Sequence, residues 1–138
     1  MSKKILHLDE EIPLTNEVKE NFEIRDSNIS ITSVHNFSEA VNELSKQKFD
    51  LILLDVIIPI TDADSDFKEI LVDHNRTGII FKNFVAQKIL SKEISNSPKI
   101  CLYTARTNLS AQDVEGVDKV IYKPKGPLDV FKKIKSIL

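Results

Sequence analysis

The length and composition of this sequence are those of one globular domain. It has 138 residues, of which 41% are hydrophobic and 29% charged, so a packed core is expected and a disordered chain is excluded. The formal net charge of −2 gives no electrostatic reason to expect nucleic acid or a membrane as a partner. The single cysteine excludes an internal disulfide, and no signal peptide or apolar run of membrane-spanning length is present. We therefore expect a cytoplasmic protein.

Short apolar runs predict five β-strands. Several are nearly continuous rather than alternating, which is typical of strands covered on both faces in a parallel sheet. The predicted strands are residues 4–8, 29–34, 51–54, 100–103 and 119–122.

Helical patterns lie between these strands. Pro13 suits a first helical turn, Asn36 and Glu39 form a capping-box signature, and Pro127 begins a last helix. The inward-facing residues predicted for four helices are Leu14, Val18 and Phe22; Val41 and Leu44; Phe81, Phe84, Val85, Lys88 and Ile89; and Leu128, Phe131, Ile134 and Leu138. Because strands and helices alternate, we expect an α/β fold with a doubly wound five-stranded parallel sheet.

One connection is longer than this fold needs. Thr104 lies 49 positions after Asp55, whereas a helix, two loops and a short strand need about 25–30 residues. We place the surplus as an insertion after the third strand, at residues 59–77. Its apolar residues at helical spacing, which predict a short helix within it, are Phe67, Ile70 and Leu71.

Polar residues end four of the five predicted strands. They are Asp9 with Glu10, Asp55, Thr104 and Lys123. Ligands of open parallel sheets bind beyond the carboxyl ends of the strands, so these side chains are expected to meet there. Three carboxylates about 4 Å apart repel by about 4 kcal/mol per pair at an effective dielectric constant near 20, so a cation is expected. Oxygen ligands favour Mg²⁺ or Mn²⁺ over zinc.

This group of residues has the chemistry for accepting a phosphoryl group. The Asp55 carboxylate can form an acyl phosphate, and a metal ion would neutralise the incoming charge. Lys123 can pair with a phosphoryl oxygen, and the Thr104 hydroxyl can donate a hydrogen bond to another.

Four segments in order resemble the signature stretches of response-regulator receiver domains, over nearly the whole chain apart from the insertion. The resemblance implies a flavodoxin-like (β/α)5 fold, a single domain over residues 1–138, and phosphorylation on Asp55 with Thr104 as switch hydroxyl and Lys123 as the family's lysine. The segments are LHLDEE, FDLILLDVIIP, ICLYTA and VIYKP.

The same resemblance implies the cofactor and the partners. Asp55, Glu10 and the backbone carbonyl of Ile57 would hold Mg²⁺ or Mn²⁺, with Asp9 as the other member of the acidic pair. Ala105 would leave room for the phosphoryl group. The partners would be a sensor histidine kinase or a histidine phosphotransfer protein and a downstream protein target. We expect a stand-alone receiver with no output domain and no enzymatic activity beyond its own phosphorylation.

The sequence departs from the family pattern at several places. Glu10 stands where aspartate is usual, and Val120 where an aromatic switch residue is often found. Gly78, beyond the insertion, is the expected counterpart of the glycine usual in the loop after the third strand. Only 19 positions separate Thr104 from Lys123, so the fourth helix, near residues 108–114, must be short.

Two positions bear on the lifetime of an acyl phosphate. By the resemblance, Ile57 and Arg106 flank the approach of the hydrolytic water. Ile57 cannot orient water and Arg106 cannot act as a base at pH 7, so a long-lived phosphorylated form is expected.

Two other functions compete with this interpretation. One is a receiver-like module that binds partners without being phosphorylated. The other is a haloacid-dehalogenase-type phosphatase, which would need a proton-transferring acid where Ile57 stands.

The other residues whose side chains could bind a metal are predicted to have structural roles or to be exposed to solvent. Asp62, Asp64 and Asp66 mimic the start of an EF-hand loop but lack its glycine, so we predict a solvated acidic loop. His7 is predicted to be a core histidine with satisfied hydrogen bonds, and Cys101 a small core residue. No metal role is expected for the two remaining histidines, which are His35 and His74.

Overall fold

The computed structural model describes residues 2–138, and at its centre is a five-stranded parallel sheet. The strand order is β2-β1-β3-β4-β5, the flavodoxin-like order. This confirms the predicted doubly wound sheet, and the strand bounds differ from the prediction by at most one residue at an end. The strands are β1 (Lys3–Leu8), β2 (Ile29–Val34), β3 (Leu51–Leu54), β4 (Lys99–Thr104) and β5 (Lys119–Tyr122).

Four α-helices cover the two faces of the sheet: α1 (Ile12–Arg25), α2 (Phe37–Lys46), α3 (Thr77–Leu90) and α4 (Pro127–Lys135). The buried residues of α1 and α4 join one core cluster, and those of α2 and α3 join the other. Among the residues described, no helix has both the length and the apolar character needed to cross a membrane.

The helices differ from the sequence prediction in two details, one at the start of α2 and one on the buried face of α4. The Asn36 side chain caps α2 by accepting a hydrogen bond from the Glu39 backbone N–H at 2.8 Å. The Glu39 carboxylate, however, accepts from the backbone N–H of His35 rather than that of Asn36. In α4 the inward position falls on Val130, which is fully buried, whereas the predicted Leu128 is 40% exposed.

The insertion forms two short 3₁₀ helices, Asp62–Phe67 and His74–Arg76, before α3 begins. Asp64 is buried, and its carboxylate accepts hydrogen bonds from the backbone N–H groups of Thr61 (2.9 Å) and Ser38 (2.8 Å). The prediction of a solvated acidic loop is therefore wrong for Asp64, which fixes the insertion to the start of α2.

The predicted fourth helix near residues 108–114 is absent, because residues 105–118 form bends and turns with no α-helix. Lys82 of α3 adds long-range hydrogen bonds to the few local backbone bonds of this loop. Its buried ammonium donates to the carbonyls of Gln112 (3.2 Å), Asp113 (2.9 Å) and Glu115 (2.8 Å). The apolar residues of this loop that pack on the core are Leu109, Val114 and Val117.

Candidate functional site

Backbone pairing brings the predicted polar residues to one edge of the sheet. Asp55 N–H donates to the carbonyl of Leu8 at 3.0 Å, which sets Asp55 beside Asp9. Lys123 N–H donates to the carbonyl of Thr104 at 2.9 Å. The ends of β1, β3, β4 and β5 therefore surround one cleft, as the sequence predicted.

Lys123 is the centre of the charges in this cleft. Its ammonium lies 3.0 Å from Asp9 Oδ2, 3.0 Å from Asp55 Oδ2 and 2.5 Å from Glu11 Oε2. Burial alone lowers the pKa of Lys123, but the neighbouring carboxylates of Glu11, Asp9 and Asp55 outweigh it and raise that pKa above its usual value. The lysine therefore stays charged and can neutralise an anion in the cleft.

Three carboxylates converge beside this lysine. Asp9, Glu11 and Asp55 each offer an oxygen, and these oxygens lie within 4.8 Å of one another. Asp9 is fully buried, and this burial is the largest cause of its raised pKa. Its Oδ2 accepts no hydrogen bond, and its polar neighbours are the Lys123 ammonium at 3.0 Å and His7 Nε2 at 4.0 Å. A buried carboxylate oxygen without a hydrogen bond suits a metal ligand, so the cluster fits a divalent cation.

The third carboxylate of the cluster is Glu11, not the predicted Glu10. Asp9 Oδ1 accepts a hydrogen bond from the backbone N–H of Glu11 at 3.0 Å, and Glu11 then forms the N-cap position of α1. This turn, together with the charge of Lys123, brings the half-exposed Glu11 carboxylate to the cleft, whereas Glu10 is not part of the carboxylate cluster. The sequence pattern Asp-Glu-Glu offered no signal that separates the two glutamates.

Gly78 is packed directly against the backbone of Asp55. Its N–H donates to the carbonyl of Val56 at 2.9 Å, and a Cβ atom placed on it would lie 1.8 Å from the Asp55 carbonyl oxygen. Only glycine permits this approach of α3 to the end of β3. The geometry accounts for the glycine that was expected beyond the insertion.

Comparison with known proteins was made by sequence and by structure. No family model matches the sequence, and no curated protein is significantly similar to it. Solved structures match over the full chain. The chemotaxis response regulator CheY4 of Vibrio cholerae has 22% identity and a TM-score of 0.72, with 100% of both chains covered. The response regulator TrrA of Thermotoga maritima, in complex with Mg²⁺-BeF, has 22% identity and a TM-score of 0.69, with 99% of both chains covered.

A third similar structure is the complex of histidine kinase ThkA with TrrA, at 21% identity and a TM-score of 0.70. The match covers 99% of this chain and 98% of that one. This chain has the CheY-like receiver fold. These identities show the fold alone.

Within this receiver fold, the residues after β4 lie near the cleft. Thr104 is buried, and its hydroxyl oxygen accepts a hydrogen bond from the backbone N–H of Arg106 at 3.1 Å. Ala105 is exposed. The Arg106 guanidinium donates to the carbonyl of Asn75 at 2.6 Å, so it joins this loop to the insertion.

Two further predicted positions differ in environment. Ile57, two residues after Asp55, is 44% exposed and presents hydrocarbon to solvent. Val120 on β5 is half-buried and packs against the core on the α2 and α3 side.

His7 is buried in the receiver core without a hydrogen-bond partner for either ring nitrogen, so the prediction of a satisfied histidine is wrong. Burial and the positive charge of Lys123 lower the pKa of His7 to about 3. The neutral ring is therefore the stable form at pH 7. Cys101 is confirmed as a core residue, and burial raises the pKa of its thiol to about 12.

Proposed function

We propose that this chain is a phospho-accepting receiver of a two-component or phosphorelay pathway, phosphorylated on Asp55 in the presence of Mg²⁺ or Mn²⁺. The observation that carries this proposal is the equal 3.0 Å separation of the Lys123 ammonium from Asp9 and from Asp55. The Lys123 ammonium thus contacts both the proposed acceptor, Asp55, and the buried carboxylate of Asp9 at the strand ends.

The proposed reaction is a transfer from a donor phosphate to an Asp55 carboxylate oxygen. An O–P bond forms at Asp55 while the bond between phosphorus and the donor breaks, and the donor leaves with the electron pair. Asp55 Oδ1 accepts from the Val56 backbone N–H at 2.7 Å, and Oδ2 accepts from the Lys123 ammonium at 3.0 Å. The proposed nucleophile is Oδ2, because a phosphoryl group on it would lie beside the charge of Lys123. Lys123 and the Thr104 hydroxyl would then contact phosphoryl oxygens.

The proposed metal ligands include the carboxylates of Asp9, Glu11 and Asp55. When bound, Mg²⁺ or Mn²⁺ would neutralise the carboxylates and the incoming phosphoryl charge. Glu10 and the backbone carbonyl of Ile57, predicted from the resemblance, stay candidate ligands.

The proposed phosphodonor is a sensor histidine kinase or a histidine phosphotransfer protein. The complex of TrrA with a histidine kinase supports this class of partner, because TrrA and this chain share the fold over nearly their full lengths. Output is proposed to occur through contacts with a protein target, without nucleic acid or membrane binding.

The test is phosphorylation by a small donor. Wild-type protein incubated with acetyl phosphate and Mg²⁺ should gain the mass of one phosphoryl group, while Asp55→Asn should gain none. Asp62→Asn, an exposed change in the insertion, is the matched control and should be labelled like wild type. Equal labelling of Asp55→Asn, or no labelling of wild type at any metal concentration, contradicts the proposal.

A receiver-like binding module that is never phosphorylated is the second candidate. The contact between Glu11 and Lys123 favours it, because a third carboxylate already neutralises the lysine on which a phosphoryl group would depend. Absence of labelling with an intact fold would support this candidate. The phosphatase alternative lacks support, since the exposed side chain of Ile57 carries no acid.

A further inference from the structure

The insertion and the outer side of α3 enclose an apolar groove that lies away from the phosphorylation cleft. Its larger part has a volume of about 600 Å³. A second part of about 320 Å³ continues the groove toward α2, and the two parts share Phe67, Phe84, Lys88 and Glu93. The residues that give the larger part its apolar floor are Phe67, Ile70, Ile80 and Phe84.

The floor of this groove is fixed by the core. The Phe67 ring lies 4.9 Å from the Phe37 ring and 6.0 Å from the Phe84 ring, centroid to centroid. Leu71 of the insertion is buried, and the Asp64 carboxylate ties the insertion to α2. The groove therefore exists before any partner binds, so a partner would not need to order it.

The rim of the groove on the insertion side is acidic. Asp66 and Glu69 are exposed there, and neither takes part in an ion pair within residues 2–138. On the opposite side, the Lys88 ammonium lies 2.7 Å from the Glu93 carboxylate, so these two charges offset each other. The insertion side of the rim therefore carries two carboxylates that form no ion pair within the described residues, beside an apolar floor.

We propose that this groove binds a short amphipathic helix of another protein, with apolar residues at helical spacing and lysine or arginine beside them. Such a helix would place its apolar side chains on Phe67, Ile70 and Phe84 and its cations near Asp66 and Glu69. The lining comes from the insertion, from α3 and from Ser91 and Glu93 just after it, and it includes no strand residue that could pair with an extended peptide. The groove face of α3 from Ile80 to Lys88 is roughly 12 Å long, which matches about two helical turns.

None of the residues that line this binding surface belongs to the cleft of Asp9, Glu11, Asp55 and Lys123. The probe for it is a synthetic 15-residue peptide with leucine at helical spacing and lysine elsewhere. A second peptide, with glutamate in place of every lysine, serves as the comparison. Affinity is measured by fluorescence anisotropy, and the binding position by amide chemical shifts of the ¹⁵N-labelled full chain.

We expect the lysine peptide to bind at least tenfold more tightly than the glutamate peptide and to shift amides of the insertion and α3. Removing both rim charges in Asp66→Asn with Glu69→Gln should weaken binding by roughly fivefold. Glu17→Gln with Glu20→Gln removes two exposed charges from α1 and serves as the matched control, with unchanged affinity expected.

The apolar floor has its own pair of variants. Ile70→Ser should weaken the binding of the lysine peptide severalfold, whereas Ile24→Ser, at an exposed apolar residue of α1, should leave its affinity unchanged. Shifts confined to α1 or α4, or equal weakening by both charge pairs, would mean general attraction and overturn the proposal. A dimer in sedimentation analysis that Ile70→Ser dissociates would identify a second copy as the occupant and likewise overturn it.

Discussion

The Glu11 carboxylate and the Lys123 ammonium lie 2.5 Å apart although 112 positions separate them in the sequence. The contact connects the start of α1 to the end of β5 across the cleft. Because Lys123 also contacts Asp9 and Asp55, it is neutralised by carboxylates before any phosphoryl group arrives. Under the proposed phosphorylation of Asp55, the phosphoryl group would compete with Glu11 for this lysine.

Glu11 is expected to contribute more to metal binding than Glu10. Glu11→Gln should weaken Mg²⁺ binding by about tenfold, because it removes one of three clustered carboxylates. Glu10→Gln, at the exposed neighbour, is the control and should change affinity less than twofold. Calorimetric titration measures both. If Glu10→Gln loses more Mg²⁺ affinity than Glu11→Gln, then Glu10, the ligand implied by the receiver resemblance, is the more important one and this prediction is wrong.

Acidification is expected to destabilise the protein through His7. Its pKa is about 3 in the folded chain against an ordinary value of 6.5, so below pH 6.5 the unfolded chain binds a proton that the folded chain does not. Stability is therefore lost as pH falls through this window, by about 2 kcal/mol between pH 7 and pH 5. The raised pKa of Asp9 acts in the opposite direction, so the comparison with a His7 variant is needed.

The matched measurement is urea unfolding of wild type, His7→Leu and His74→Gln at both pH values. His7→Leu should be more stable than wild type at pH 7, because neither ring nitrogen has a partner to lose, and should lack this loss on acidification. His74 is exposed, so His74→Gln should follow wild type. Parallel pH profiles for His7→Leu and wild type would contradict the prediction.

Gly78→Ala is expected to destabilise the fold and impair phosphorylation. The added Cβ would meet the Asp55 carbonyl oxygen at 1.8 Å, so either α3 or the end of β3 must move. We expect a loss of about 3 kcal/mol in the free energy of unfolding, with slower labelling by acetyl phosphate. Gly126→Ala is the control, since its Cβ would have no atom within 4 Å. If Gly78→Ala is as stable as wild type, α3 accommodates the added Cβ without a loss of folding free energy and the prediction is wrong.

Lys82→Met is expected to release the loop of residues 105–118. Three carbonyls lose a charged donor, which should reduce the free energy of unfolding by about 2–4 kcal/mol. Amide hydrogen exchange should accelerate in this loop more than in β1 or β3. Lys68→Met, at an exposed lysine, should leave both measurements unchanged. Uniform acceleration across the sheet would instead indicate global destabilisation.

The phosphorylated form is expected to be long-lived. Ile57 presents hydrocarbon where an amide could position water, so Ile57→Asn should hydrolyse the acyl phosphate severalfold faster than wild type. Ile12→Asn, at another exposed apolar residue, is the control. The loss of the phosphoryl mass over time measures the rate. If the acyl phosphate of wild type is hydrolysed as fast as that of Ile57→Asn, Ile57 does not shield it and the prediction is wrong.

The sequence predicted the strands well because buried parallel strands need continuous apolar runs, and such runs as 51–54 have few alternatives. It also predicted Asp9, Asp55, Thr104 and Lys123, since strand ends meet at one edge of the sheet. It did not predict Glu11, because the choice between adjacent glutamates depends on a turn and on a lysine distant in sequence.

Other errors have the same physical origin. The helix expected at residues 108–114 is replaced by turns, three of whose carbonyls accept hydrogen bonds from Lys82, a long-range interaction without a local signature. The sequence predicts a solvated Asp64, because its backbone partner at Ser38 is 26 positions away and leaves no local pattern. Local patterns predict elements, whereas these side chains are determined by tertiary contacts.

The dependence of the β4–β5 loop on Lys82 has a consequence for the order of folding. A helix can form its hydrogen bonds locally, within nanoseconds to microseconds. Three carbonyls of this loop instead accept hydrogen bonds from a donor 30 to 33 positions earlier in the chain. The loop therefore gains these bonds only after α3 has docked on the sheet. The segment that follows Thr104 is expected to be among the last parts of the chain to fold.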